Sequence, residues 1–106
     1  MPKTISDESK THWLIFCPAC RAGHVFQIPP WTFNGNVSKP TFGGSMLLHG
    51  SPGTPRCHSL VNDGVIQFLD DCTHALKGQT VDLPELKDKV EYNPGSGFSY
   101  DSSKFS

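Results

Sequence analysis

Short alternations of apolar and polar residues, broken every few positions by Gly or Pro, run along this chain and predict strands joined by turns. Ahead of them stands an unbroken run, His12-Trp13-Leu14-Ile15-Phe16, bulky residues of strong strand preference that lead directly into Cys17. Arg21-Ala22-Gly23 reads as a turn and His24-Val25-Phe26-Gln27-Ile28 as the returning strand. Pro29-Pro30 stops it, because proline cannot donate to a ladder. Trp31 to Val37 alternates large and small side chains around Asn34-Gly35, a pair that tolerates the positive φ of a hairpin turn. Pro40 to Gly44 reads as a flexible connector, 45–49 as a strand and 50–55 as an irregular loop.

The clearest hairpin is the next one. Ser59 to Asn62 and Val65 to Leu69 flank Asp63-Gly64, so a two-residue turn sets Asn62 opposite Val65 and Cys57 opposite Asp70. Alternation then puts Cys57 and Cys72 on one face and His58 with Asp71 on the other. His74 to Lys77 reads as a single helical turn closed by Gly78, and Gln79 to Leu83 as a last strand ended by Pro84. The pattern predicts a mostly β fold of small hairpins with at most one short helical turn. A single domain over 12–90 would follow a flexible leader, 1–11, and precede a Gly- and Ser-rich tail, 91–106, whose Phe98, Tyr100 and Phe105 are free to dock.

Composition changes this picture in one respect. A chain of 106 residues with ten glycines, nine prolines and a 36% apolar fraction has a thin core, and a bound metal would add stability that such a core lacks. Charge is balanced, nine basic against ten acidic side chains, with no basic stripe, which disfavours nucleic acid as a partner. No stretch approaches the roughly 20 apolar residues of a membrane span, and the polar N-terminus is unlike a signal peptide. The expectation is a cytoplasmic protein with reduced thiols.

Those thiols carry the strongest chemical signal. Cys17-Pro18-Ala19-Cys20 is a knuckle that offers two thiolates to one tetrahedral zinc, and strand, knuckle, strand is half of a zinc-ribbon-like unit. Cys57, next to His58, and Cys72, two residues before His74, are the remaining cysteines. The simplest ligand set is Cys17, Cys20, Cys57 and Cys72, which joins two distant hairpins, with His74, His58 or His24 as alternates. A thioredoxin-type redox pair would sit at the start of a helix, and Gly23 and Pro29-Pro30 argue against one here.

His58, Asp71 and His74 are the candidate catalytic groups, as an acid–base pair or around an open metal position; the plainer reading is that they orient the cysteines. Trp31, Asn34, Thr41 and Ser45, with Phe33, are candidates to line a small-ligand pocket, although turn chemistry accounts equally well for Asn34. His12 and His49 read as solvent-facing or locally satisfied. No Gly-rich phosphate loop, serine nucleophile elbow or His-Glu zinc helix is present in the sequence.

Taken in order, CPAC-x3-H, WTFNGNVSKPTF and RCHSLVNDGVIQFLDDCTHALKGQTVDLPEL resemble a family of small phage and prophage proteins of unknown function, some labelled "ammonia monooxygenase". That label conflicts with the absence of a membrane span and with thiolate ligands suited to zinc. Gly43-Gly44 departs from the bulkier segment that the resemblance leads one to expect. The resemblance implies a phage-encoded protein in an infected host. The leading expectation is a zinc-stapled protein that binds a host component or a small signalling molecule, motivated by the lack of a recognisable catalytic set. The alternatives are a zinc-dependent hydrolase acting on a nucleotide or amide, and a nucleic-acid-binding zinc ribbon. Exposed hairpin edges would also allow a homodimer.

Overall fold

The computed structural model describes residues 2–48 and 56–105; the strand end at His49 and the loop at 50–55 lie outside the described residues. The protein is mostly β, 45% strand against 4% helix. The strands are β1 (Ile5–Ser6), β2 (His12–Cys17), β3 (Ala22–Gln27), β4 (Thr32–Phe33), β5 (Phe42–Leu48), β6 (Cys57–Asn62), β7 (Val65–Phe68), β8 (Thr80–Asp82), β9 (Val90–Asn93) and β10 (Gly97–Tyr100), followed by a 3-10 turn, Ser102–Phe105. They form a three-stranded sheet, β1-β2-β3, a five-stranded sheet, β4-β5-β6-β7-β8, and a β9-β10 hairpin, with every pairing antiparallel. Among the described residues no helix is long and apolar enough to cross a membrane.

The run in β2 is apolar at successive positions because both of its faces are covered. Ile15 and Cys17 turn towards Phe26, Phe42, Met46, Val61, Ile66 and Phe68, the main core between the two larger sheets. Leu14 and Phe16 turn the other way, to Leu86, and are covered by Val90, Phe98 and Phe105. Phe105 stacks on Phe16 with ring centroids 3.8 Å apart. The segment read as a tail therefore contributes a hairpin, a 3-10 turn and three aromatic contacts, and the segment read as a leader contributes β1. Ile5 pairs with Leu14, and the buried Thr4 hydroxyl donates to the Leu14 carbonyl at 2.9 Å.

Asp63 and Gly64 have φ of 52° and 81°, the two positive values of a type I′ turn, and Asn62 pairs with Val65. Asn34-Gly35 does not make a two-residue hairpin. Thr32 and Phe33 pair with Gly43 and Phe42, and a wider loop between them is closed by the Asn34 side chain, whose Oδ1 accepts from the Asn36 and Thr41 amides at 3.1 Å each. Phe42-Gly43-Gly44, read as a connector, is the start of β5. The register against β6 shifts between Phe42 and Met46, so Gly43, Gly44 and Ser45 form a bulge.

Candidate active site and thiol cluster

The β6-β7 hairpin carries different chemistry on its two faces. On the outer face, His58 Nδ1 lies 3.1 Å from each carboxylate oxygen of Asp71, and Nε2 lies 3.0 Å from the Ser45 hydroxyl. An ionised carboxylate can only accept, so Nδ1 carries the proton, and in the neutral ring Nε2 accepts from Ser45 Oγ–H. This is the connectivity of a nucleophile, a general base and an orienting acid. Burial pushes the Asp71 carboxyl up, but hydrogen bonds from His58 and Arg56 outweigh it and hold the group below its ordinary range. Arg56 also donates to Asp71, at 3.2 Å from the Oδ2 that His58 shares.

Three features of the fold place Ser45. The bulge lifts it out of one-to-one pairing with β6. Gly44, at φ 98°, adopts a conformation that a side chain would strain. Trp31, edge-on to Phe26 with centroids 5.6 Å apart, donates its indole N–H to the Ser45 carbonyl at 3.3 Å. Pro30, Trp31, Gly43 and Gly44 line an open depression of about 210 Å³ beside the serine. Ser45 and Asp71 are exposed and the His58 side chain is 24% exposed, so the constellation lies at the surface.

On the inner face, Cys17, Cys20, His24 and Cys57 bring their ligand atoms within 4.8 Å of one another and can hold a metal ion; Cys57, Cys72 and His74 form an adjoining group. The knuckle closes with Arg21 N–H donating to the Cys17 carbonyl at 2.9 Å and Cys20 N–H directed at Cys17 Sγ at 3.4 Å. His24 is buried, and its Nε2 has no hydrogen-bond partner, the condition expected of a ring nitrogen that meets a metal. The Cys57 thiol, aided by His24, brings the Cys17 thiol down to about 4 against the opposing effect of burial. Burial and the charge on Cys17 push Cys20 up to about 11. Cys57 is raised by its hydrogen bond to Cys17 and by burial. One thiolate is thus favoured among crowded thiols, and a divalent cation would stabilise the others.

The residues singled out from the sequence divide between these faces. His58 has both ring nitrogens committed to Ser45 and Asp71, away from the thiols, and does not act as an alternate ligand in this geometry. His74 lies on the thiol side, edge-on to Phe68, with its Nε2 unpartnered, and takes no part with Ser45. Cys72 sits beside Cys57, and its Sγ exchanges two contacts of 3.2 Å with the His58 backbone. Trp31 and Ser45 meet, whereas Asn34 closes its loop and Thr41 bonds Asn62 and the Asp63 amide. Ser45 was legible as a polar residue near Trp31, but nothing in the linear pattern marks it as a nucleophile.

A family model described as "bacterial ubiquitination-like system serine protease (BubE)" matches residues 2–69. The chain belongs to this family. The match contains Ser45 and His58 and ends two residues before Asp71. It redirects the resemblance drawn from the sequence, from a phage zinc ribbon to a family named for a bacterial system. No curated protein and no solved structure matches the chain.

Proposed function

We propose that this protein is a serine hydrolase that cleaves an acyl bond in a protein substrate, with Ser45 as nucleophile, His58 as general base and Asp71 as the acid that orients it. The observation that carries this reading is the unbroken chain of contacts from Ser45 Oγ through His58 to Asp71. The family description, a serine protease of a ubiquitination-like system, supports it and suggests that the substrate is a protein conjugate or precursor.

Ser45 Oγ attacks the scissile carbonyl while His58 Nε2 takes its proton. The same imidazolium then protonates the departing amine or alkoxide, and water hydrolyses the acyl-enzyme by the reverse relay. Backbone N–H groups of Gly44 and Ser45, in the bulge and outside the regular β5-β6 register, are assigned as donors to the developing oxyanion. The surface position of the triad fits a large substrate that itself excludes water on docking.

The thiol cluster is read as a structural zinc site held by Cys17, Cys20, Cys57 and His24, with Cys72 and His74 beside it. Three sulfurs and an imidazole complete a tetrahedral set, so the hydrolase alternative passes from the metal to the serine. The expectation of a binding protein for a host component or signal rested on the lack of a catalytic set, and Ser45, His58 and Asp71 supply one.

A fluorophosphonate, which phosphonylates activated serines, tests the reading. Intact-mass analysis should show a single adduct, mapped by peptide sequencing to Ser45 and lost in Ser45→Ala and His58→Ala. A folded protein that takes no label would sink the proposal.

A further inference from the structure

The strand that bears the nucleophile is paired along only part of one edge. The His58 carbonyl accepts from the Leu69 amide at 2.9 Å, and the His58 amide is directed at Cys72 Sγ, so the backbone of His58 faces β7. Alternation turns the backbone groups of Cys57 and Ser59 towards β5, where they meet Leu48 and Met46. Leu47, opposite His58, therefore directs its own N–H and C=O to the far edge of β5. Along that edge β4 pairs only with Phe42 and Gly43. Among the described residues no strand continues it past Gly43.

Two observations identify what such an edge would take. The first is that Ser45 and Leu47 share the sheet face of His58, so a chain laid along the edge passes the nucleophile. The second is that the edge is already engaged at its head: the Trp31 indole bonds the Ser45 carbonyl, and the depression between Trp31 and Gly43-Gly44 can receive a side chain there. Beyond the bulge, the unpaired N–H and C=O of Leu47 are a template for a further strand.

We infer that the substrate is an extended polypeptide segment that adds as a strand to the open edge of β5, pairing its backbone with Leu47 and seating one side chain against Trp31. The inference rests on the serine-hydrolase reading and deepens it. It assigns recognition to the peptide backbone of a flexible tail, in preference to the surface of a folded partner.

The test uses the full, unmodified chain and a library of short unstructured peptides, with cleavage read by mass spectrometry. The best-cleaved peptide is then remade with a single N-methyl group at each backbone amide in turn. Strand addition predicts a loss of roughly tenfold or more in kcat/KM at the one amide that donates to the Leu47 carbonyl, with little change at its neighbours, since only that amide loses a bond. N-methylation that is tolerated everywhere, or that costs the same at every position, overturns the inference. So does failure to cleave any peptide by a protein whose Ser45 takes the fluorophosphonate. If Ser45 takes no label, the hydrolase reading itself fails, which separates the two results.

Discussion

Asp71 accepts from two neighbours, Arg56 at 3.2 Å and His58 at 3.1 Å, and its charge fixes the ring orientation that leaves Nε2 free to accept. Asp71→Asn keeps the shape but offers the imidazole an amide, so kcat against the best peptide should fall roughly a thousandfold to ten-thousandfold with little change in KM. A second carboxylate gives a stability prediction. Burial raises the Asp7 carboxyl, but bonds from the Thr11 amide and from His12 prevail and bring it from 3.8 down to about 2. A carboxyl depressed in the folded state contributes stability above its unfolded value and loses it as pH falls towards the folded one. Urea midpoints should therefore decline between about pH 4 and pH 2, and Asp7→Asn should flatten that decline. At this scale the sequence was partly legible. Two-residue turn arithmetic at Asp63-Gly64 brings His58 and Asp71 to one face without any structure. Ser45 needed the β5-β6 pairing and a bulge, which no local residue pattern encodes.

The β6-β7 hairpin is the element where the two chemistries meet. Cys57 and His58 are consecutive, as are Asp71 and Cys72, so whatever fixes the thiols also fixes His58 and Asp71. Stripping the protein of metal with a chelator should lower its melting temperature by at least about 10 °C, given several degrees per kcal/mol in a domain of this size. Labelling of Ser45 should fall in parallel, and re-addition of zinc should restore both. If the melting temperature does not move, the cluster is not a structural metal site. The knuckle and its flanking strands were readable from Cys17-Pro18-Ala19-Cys20. His24 was harder to rank, because its claim depends on a buried, unpartnered Nε2 that only packing reveals.

Taken whole, the molecule is layered: five-stranded sheet, three-stranded sheet, then the C-terminal hairpin. The middle layer must be apolar on both sides, which accounts for the unalternating Trp13-Leu14-Ile15-Phe16 run. Phe16→Ala removes the side chain that stacks on Phe105 and packs near Tyr100, and should cost about 3–5 kcal/mol in urea unfolding. A cost under about 1 kcal/mol would mean that the C-terminal layer adds little. The third layer was hidden in the sequence because its Gly- and Ser-rich stretch offers only a few half-exposed aromatics, two of which, Tyr100 and Phe105, meet Phe16 from the far end of the chain.

The two-faced hairpin also has a parity. Side chains alternate strictly, so one residue inserted between His58 and Asn62 would turn the imidazole inward and carry the Cys57 thiol into solvent. Inserting two residues, matched by two in β7, would lengthen the strands and leave each group on its own side. Among descendants of this chain, β6 and β7 are thus free to grow or shrink only in even steps, since an odd step breaks the Ser45-His58-Asp71 contacts and the thiol cluster together.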